Sequence, residues 1–164
     1  MIEIQLTQGK IALVDDEDYA LVSGISWQPN YGPHTYYARG MLSRTLNNGK
    51  QKAISMHRLI MDAKQGQQVD HINGNGWDNR RENLRVCTNR QNQGNQRIRK
   101  FSSSYKGVCL HKRTNRWYAN IKLAGKTKYL GSYASEIEAA KAYNKAAKEF
   151  FGEFAKLNSG DWTS

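Results

Sequence analysis

The chain has 164 residues, with 25 Lys and Arg against 14 Asp and Glu and a formal charge of +11 at neutral pH. That length allows one ordinary domain or two or three very small ones, and excludes a large cofactor-binding barrel or doubly wound sheet. The charge predicts a polyanionic partner, with nucleic acid ahead of an anionic membrane surface.

With 38% hydrophobic residues the chain can bury a modest core and is expected to fold throughout. Its longest aliphatic run, Ile11 to Val14, is far short of the roughly 20 residues that span a bilayer, and the N-terminus lacks a basic stretch followed by an apolar one. No membrane or secretion role is expected. Cys87 and Cys109 stand outside any CxxC pairing, which predicts no structural zinc, no disulfide framework and a reduced, cytoplasmic setting. Charge is segregated: residues 1–56 are balanced, 57–100 carry +5 and 101–164 carry +6. The partner-facing surface is therefore expected in the last two thirds, on a scaffold supplied by the first.

Residues 1–56 hold short alternating apolar stretches, among them Ile2 to Leu6 and His34 to Arg39, separated by turn formers at Gln8 to Lys10, Pro29 to Pro33 and Asn47 to Lys50. This is a pattern of strands and hairpins. Asp15 to Asp18 precede Tyr19-Ala20-Leu21-Val22, which reads as one short helix with acids at its positive end rather than as a metal cluster.

Residues 68–100 read as strand, polar loop, short strand and helix. Gln68 to Ile72 is strand-like, Asn73 to Asn79 is rich in Asn and Gly, and Leu84 to Cys87 is a second strand. Thr88 is an N-cap for a helix running to about Arg99. Asp70 and His71 are neighbours on a strand, so they point to opposite faces unless the strand twists or ends there.

This stretch resembles the HNH, or His-Me finger, nuclease motif in the form used by phage and intron-encoded homing endonucleases. The resemblance lies in Asp70-His71, in Asn83-Leu84-Arg85 twelve residues after the histidine, and in Asn92 within the following helix. Met56-His57-Arg58-Leu59-Ile60-Met61 resembles what precedes the motif, and the similarity covers residues 56–98. It implies a ββα-metal fold that hydrolyses DNA to 5′-phosphate and 3′-hydroxyl ends. It also implies that His71 activates water, Asn83 hydrogen-bonds and orients the imidazole, and Asp70 with Asn92 ligates one Mg²⁺ or Mn²⁺ ion.

The chemistry of the residues agrees, because phosphodiester cleavage is served by a general base and one divalent cation. A histidine of ordinary pKa near 6.5 is poised as that base. Water and phosphate oxygens would complete the shell of a hard ion. Arg81 and Arg85 are candidate phosphate contacts. Taken singly, Asp70 also fits a turn cap, His71 a core histidine, and Asn83 or Asn92 a backbone clasp. His57, among Met56, Leu59, Ile60 and Met61, fits the packing, with orientation of the site or DNA contact as the alternatives.

From Tyr105 three strand-like runs follow, Tyr105 to Leu110, Arg116 to Ile121 and Lys128 to Tyr133, with turns at Arg113 to Asn115 and Ala124 to Lys126. Ser135-Glu136-Ile137-Glu138 forms a capping box, and Ala139, Ala140, Tyr143, Ala146, Ala147 and Phe150 recur at helical spacing up to Gly152. The alanines let this helix lie close to the sheet. The opposite face is left to Lys106, Lys112, Arg113, Arg116, Lys122, and Lys126 or Lys128, with Trp117 or Tyr129 nearby. A short connection that includes Ser102 to Ser104 joins the Asn92 helix to this segment.

The segment resembles the Apetala-two or ethylene-response-factor DNA-binding domain over residues 102–158. The matching residues are Tyr105-Lys106-Gly107-Val108, Trp117-Tyr118-Ala119-Asn120-Ile121, Tyr129-Leu130-Gly131-Ser132-Tyr133, the helix around Glu138-Ala139-Ala140 and Ala142-Tyr143-Asn144, and Leu157-Asn158. The resemblance implies a three-stranded sheet in the major groove, with Lys106, Lys112, Arg113, Arg116, Trp117, Lys122, Lys128 and Tyr129 on DNA. Cys109 and His111 stand where arginines are usual, and Asn120 where glutamate is usual. The docking mode carries over; the plant target sequence does not.

The sequence thus predicts an α+β protein in three parts: a β-rich scaffold over 1–55, a ββα-metal nuclease over 56–100, and a three-stranded sheet packed on one helix over 101–164. The expected function is metal-dependent, sequence-directed, homing-type cleavage of double-stranded DNA by a monomer that nicks one strand, on nucleoid DNA of a bacterial or phage-infected cell. The competing reading is a DNA-binding regulator that has lost the chemistry. A ribonuclease is disfavoured, because the RNA major groove is too deep and narrow for such a sheet.

Overall fold

The computed structural model describes residues 1–32, 36–43, 49, 51–95 and 102–160. It forms two compact units, Met1–Thr88 and Asn89–Ser164. In the first, β1 (Ile2–Leu6) and β2 (Lys10–Val14) make an antiparallel hairpin that pairs Ile4 with Ala12. Strand alternation turns Ile4, Leu6, Ala12 and Val14 into the core and Glu3 and Gln5 to solvent.

A 3-10 turn over Asp16–Asp18 leads into α1 (Tyr19–Val22), the single helical turn that the sequence predicts. β3 (Trp27–Tyr31), β4 (Tyr36–Leu42) and β5 (Lys52–Ser55) follow as an antiparallel meander. The turn expected from Pro29 to Pro33 is corrected in its first half: Pro29, Asn30 and Tyr31 continue β3, opposite Ala38, Tyr37 and Tyr36. A proline fits there because β3 is an edge strand, where the missing N–H breaks no inner ladder. His34, Thr35, Asn47, Asn48 and Lys50 lie outside the described residues.

α2 (Met56–Ile60) then buries Met56 and Ile60. β6 (Gln68–His71) pairs antiparallel with β7 (Leu84–Cys87), setting Asp70 opposite Arg85 and His71 opposite Leu84. Val22, Trp27, Met56, Ile60, Val69 and Leu84 join the apolar face of the first hairpin in one core. The Trp27 indole N–H is satisfied inside it, donating to the Val22 carbonyl at 2.9 Å.

In the second unit α3 (Asn89–Asn95) starts directly after Thr88, as predicted; its expected end near Arg99 lies outside the described residues. β8 (Val108–His111), β9 (Arg116–Leu123) and β10 (Lys126–Tyr133) form an antiparallel sheet with β9 central, through the two expected hairpins. The first strand begins at Val108 rather than Tyr105. Gly107 turns the chain at φ 74° beside Tyr143, where a Cβ would fall 2.1 Å from a ring carbon.

α4 (Glu136–Phe151) opens with the Ser135–Glu138 capping box and lays Ala139 and Ala140 against Val108 and Ala119 of the sheet. Phe151, and not Phe150, supplies the last buried position. The half-buried Phe150 ring instead lies 4.8 Å from the Lys128 ammonium. Buried Asn158 closes the unit, accepting from the Lys106 N–H at 2.6 Å and donating to the Lys106 carbonyl at 3.1 Å. The serines expected in a connection are part of this packing. The Ser102 hydroxyl accepts from the Leu110 N–H at 2.8 Å, and buried Ser103 donates to the Glu136 carboxylate at 2.6 Å. No helix among the described residues is long and apolar enough to cross a membrane.

Candidate active site and nucleic-acid interface

β6 ends at His71, and the chain turns at once, the Gly74 N–H bonding back to the His71 carbonyl at 2.8 Å. Asn83 ties the two limbs of the 72–83 loop: its oxygen accepts from the Asn73 N–H at 3.0 Å, and its amide donates to the Asp78 carbonyl at 2.7 Å. Arg80 donates to the Asp78 carboxylate at 2.8 and 2.9 Å, and this pairing holds that carboxyl below its ordinary pKa.

The loop is clamped onto β2. Leu13 donates its N–H to the Trp77 carbonyl, and Asn79 donates its N–H to the Leu13 carbonyl, both at 2.8 Å. Gly76 lies against β4 so closely that a Cβ would fall 1.7 Å from the Tyr36 carbonyl oxygen. The Arg81 guanidinium reaches buried Asp18 at 2.6 and 2.9 Å, while the Arg81 N–H bonds Asp15 at 2.7 Å. The acids that begin the short helix thus also anchor the loop.

His71 is 4% exposed, with Nε2 at 3.3 Å from the Asn79 side-chain oxygen. The Asn79 amide donates to the Trp77 carbonyl at 3.2 Å, so the oxygen is the end that faces the ring. In the neutral imidazole this sets the proton on Nε2 and the lone pair on Nδ1. The contact expected from Asn83 is therefore made by Asn79, and Asn83 acts one step back, on the loop that carries it.

The ring packs among aromatics, with Tyr37 stacked at 5.6 Å and His57 edge-on at 5.0 Å. His57 is buried, and its Nδ1 has no hydrogen-bond partner among the described residues. Burial first, and then the positive charges of His71 and Arg58, push its pKa down to about 3. Burial also lowers the pKa of His71, against the opposing pull of Asn79, Asp70 and Asp78. Both rings are accordingly neutral at pH 7, the state a base requires.

A testable acid sensitivity follows from the sign of these shifts. The unfolded chain takes up protons below about pH 6.5 while the folded histidines resist them, so stability present above that pH is lost as it falls toward the folded values. His57 should contribute a loss of ~2 kcal/mol between pH 6.5 and pH 5, at about 1.4 kcal/mol per pH unit. Urea unfolding at the two pH values should show that share removed in His57→Phe. An unchanged pH dependence in the variant would mean that His57 protonates freely in the fold.

Asp70 leaves β6 on the other face, buried, with Oδ2 accepting from Arg85 Nη2 at 2.8 Å and Nε at 3.0 Å. Both arginines expected on phosphate are thus engaged with carboxylates of their own unit. Asn92 is half-buried on α3, in the second unit. Asp70 offers an anionic oxygen and Asn92 a neutral one, the donor types that Mg²⁺ and Mn²⁺ take. Among the described residues no three His, Cys, Asp or Glu gather for a metal.

In the sheet, Trp117, Ala119 and Ile121 face α4, and alternation turns Arg116, Tyr118, Asn120 and Lys122 outward. One ring from each strand meets on that outer face: His111 stacks on Tyr118 at 4.7 Å, and Tyr129 meets Tyr118 edge-on at 5.4 Å. Lys112, Arg113 and Lys122 are exposed, and Arg116 is held across to β10 by Ser132 at 2.7 and 3.0 Å.

Three expected DNA contacts are placed elsewhere. Trp117 packs beneath the sheet, Lys128 reaches Phe150, and Lys106 donates to the Gly94 carbonyl at 2.6 Å. Trp117 is out of phase with Arg116, and Lys128 pairs with inward Ile121, so period two alone puts both on the helix side. The same period could have found the His111, Tyr118 and Tyr129 rings. Asn79 and Tyr37 carry no such signal, since one sits in a loop rich in asparagine and the other comes from a distant strand.

The HNH endonuclease family model matches residues 55–94. An uncharacterized HNH endonuclease of Acanthamoeba polyphaga mimivirus is 31% identical over 161 residues, covering 94% of this chain and 78% of that protein. The chain belongs to the HNH endonuclease family. This HNH endonuclease also carries an AP2-like domain: 60 residues are 43% identical both to an AP2-like ethylene-responsive transcription factor of Arabidopsis thaliana and to an APETALA2-like protein 2 of Oryza sativa subsp. indica. The chain spans only 12% and 14% of those two plant proteins. No solved structure matches it significantly.

Proposed function

We propose that this HNH endonuclease is a metal-dependent, sequence-directed DNA nuclease of the homing type, acting as a monomer on double-stranded DNA in the cytoplasm and nicking one strand. The carrying observation is the buried, neutral His71, with Nε2 tied to Asn79 and Asp70 next to it in the chain. His71 Nδ1 then accepts the proton of the attacking water. Asn79 keeps the imidazole in that tautomer, and Asn83 keeps Asn79 in place through the loop. Asp70 and Asn92 would hold the divalent ion, which supplies charge neutralisation at the scissile phosphate and the departing oxygen.

In the division that we propose, residues 1–55 are scaffold and 56–100 are nuclease, with β6, β7 and α3 as its ββα-metal motif. Residues 101–164 read the duplex in the major groove. Support for the last assignment is the outward face of cations around three rings, a composition suited to phosphates and base edges. Lys112, Arg113, Arg116, Lys122 and Tyr129 are its proposed DNA contacts.

Supercoiled plasmid, linear duplex and structured RNA, each with Mg²⁺ or Mn²⁺ and with EDTA, test the reading together. Nicked circles with 5′-phosphate ends are expected with either ion, and intact RNA throughout. Tight binding without cleavage would favour a regulator. Replacing Arg116 and Lys122 together by alanine should make the slope of log affinity against log salt shallower by about 2. An unchanged slope would show that these two cations face solvent in the complex.

A further inference from the structure

We infer that Arg85 and the divalent ion compete for the Asp70 carboxylate, and that the guanidinium released when the ion binds is the group that meets the scissile phosphate. The inference rests on the reading of Asp70 as an ion ligand. The strand register sets the two residues directly opposite one another, and two guanidinium donors converge on a single oxygen, Oδ2, at 2.8 and 3.0 Å. The side chains are 17% and 8% exposed, so the pair is mostly shielded from water.

A carboxylate this buried needs a compensating cation, and Arg85 supplies it when no ion is bound. An ion on the same carboxylate would set a double positive charge beside a single one where solvent screens weakly. The partners that orient a metal-bound histidine are carboxylates, backbone carbonyls or water, which do not oppose the ion's charge. A guanidinium does oppose it, and its planar fork has a better place to go once a phosphodiester arrives, because phosphate accepts two parallel N–H bonds. Arg81 is different: buried Asp18 and the backbone contact to Asp15 fasten it to the scaffold, away from this exchange. Ion and DNA should therefore bind cooperatively, each favouring the arrangement that the other needs.

Mn²⁺ binding to the full chain without DNA, followed by the electron paramagnetic resonance of the free ion, tests this apart from activity. Arg85→Gln should bind Mn²⁺ at least about 10-fold more tightly than the natural protein, while Arg85→Lys, which keeps the charge, should stay close to it. Unchanged, weaker or undetectable Mn²⁺ binding by Arg85→Gln overturns the proposal, because the guanidinium no longer opposes the ion in that variant. Asp70→Asn separates the underlying reading: natural Mn²⁺ affinity in that variant would remove Asp70 as a ligand altogether. A second measurement needs no altered fold. In the natural protein, the Arg85 Nε–H resonance, assigned by its loss in Arg85→Lys, should broaden into solvent exchange as Mg²⁺ is added. A resonance that stays sharp and unmoved overturns the competition.

Discussion

His71→Ala is expected to lower DNA cleavage by at least about 10²-fold at saturating Mg²⁺, with affinity for duplex DNA largely intact. Affinity is expected to be kept because the proposed DNA contacts are exposed groups of the AP2-like segment, whereas His71 is buried in the first unit. Chemistry is lost because the replacement removes the proposed proton acceptor and leaves the Asn79 oxygen facing a small cavity. Asp70→Ala should cost a similar factor by removing the proposed anionic ligand. Asn83→Ala should cost less, since its two hydrogen bonds hold the loop and not the imidazole. Comparing single-turnover rates with binding curves on one duplex separates the two quantities, and full activity in His71→Ala would falsify the assignment of the base.

Gly76→Ala should damage both stability and cleavage although it changes no charged or reacting group. Its Cβ would overlap the Tyr36 carbonyl oxygen at 1.7 Å, and that obstacle is backbone, so no side-chain rotation relieves it. The loop must move by more than an ångström, and the bonds that join Trp77 and Asn79 to Leu13 are the first to break. A loss of about 2 to 3 kcal/mol in unfolding free energy is expected, the usual scale for overpacking and a broken polar network. A displacement of ~1 Å in the support of a reacting group also costs on the order of 10²-fold in rate. Urea unfolding and cleavage should fall together while DNA binding survives. Natural stability and rate in Gly76→Ala would mean that the loop does not dock on β4.

The elements most legible in the sequence are those fixed by local chemistry. The Ser135–Glu138 capping box, the alanine face of α4, the hairpin turns at Asn115 and Ala124-Gly125, and β7 at Leu84–Cys87 all follow from propensity, spacing and turn type. Pro29 misled because a proline cluster reads as a turn whatever its place in a sheet, and only the pairing shows that β3 lies at an edge. Within the candidate site, the adjacent Asp70 and His71 can be picked out from the sequence, and the neighbours that surround them cannot. Tyr37 and His57 reach His71 from β4 and α2, which no local pattern connects. Arg81 and Arg85 looked available for phosphate because a sequence shows charge and conceals which acid faces it across a fold.

The clamp between the 72–83 loop and β2 bears on how such genes recombine. The Asp15 carboxylate and the Arg81 N–H are 66 positions apart, and Leu13 holds the loop on either side of Asp78. Closing a contact of that span costs little more than closing a short one, so the fold tolerates the distance provided both ends are inherited together. A crossover near position 55 would part the 72–83 loop from its dock and yield a motif that is complete in sequence yet slack in shape. A crossover near position 101, ahead of the AP2-like segment, would leave the dock whole and keep α3 with it. Shuffled descendants of this gene should therefore exchange their sheet-bearing ends freely, while the opening hairpin travels with the histidine it serves.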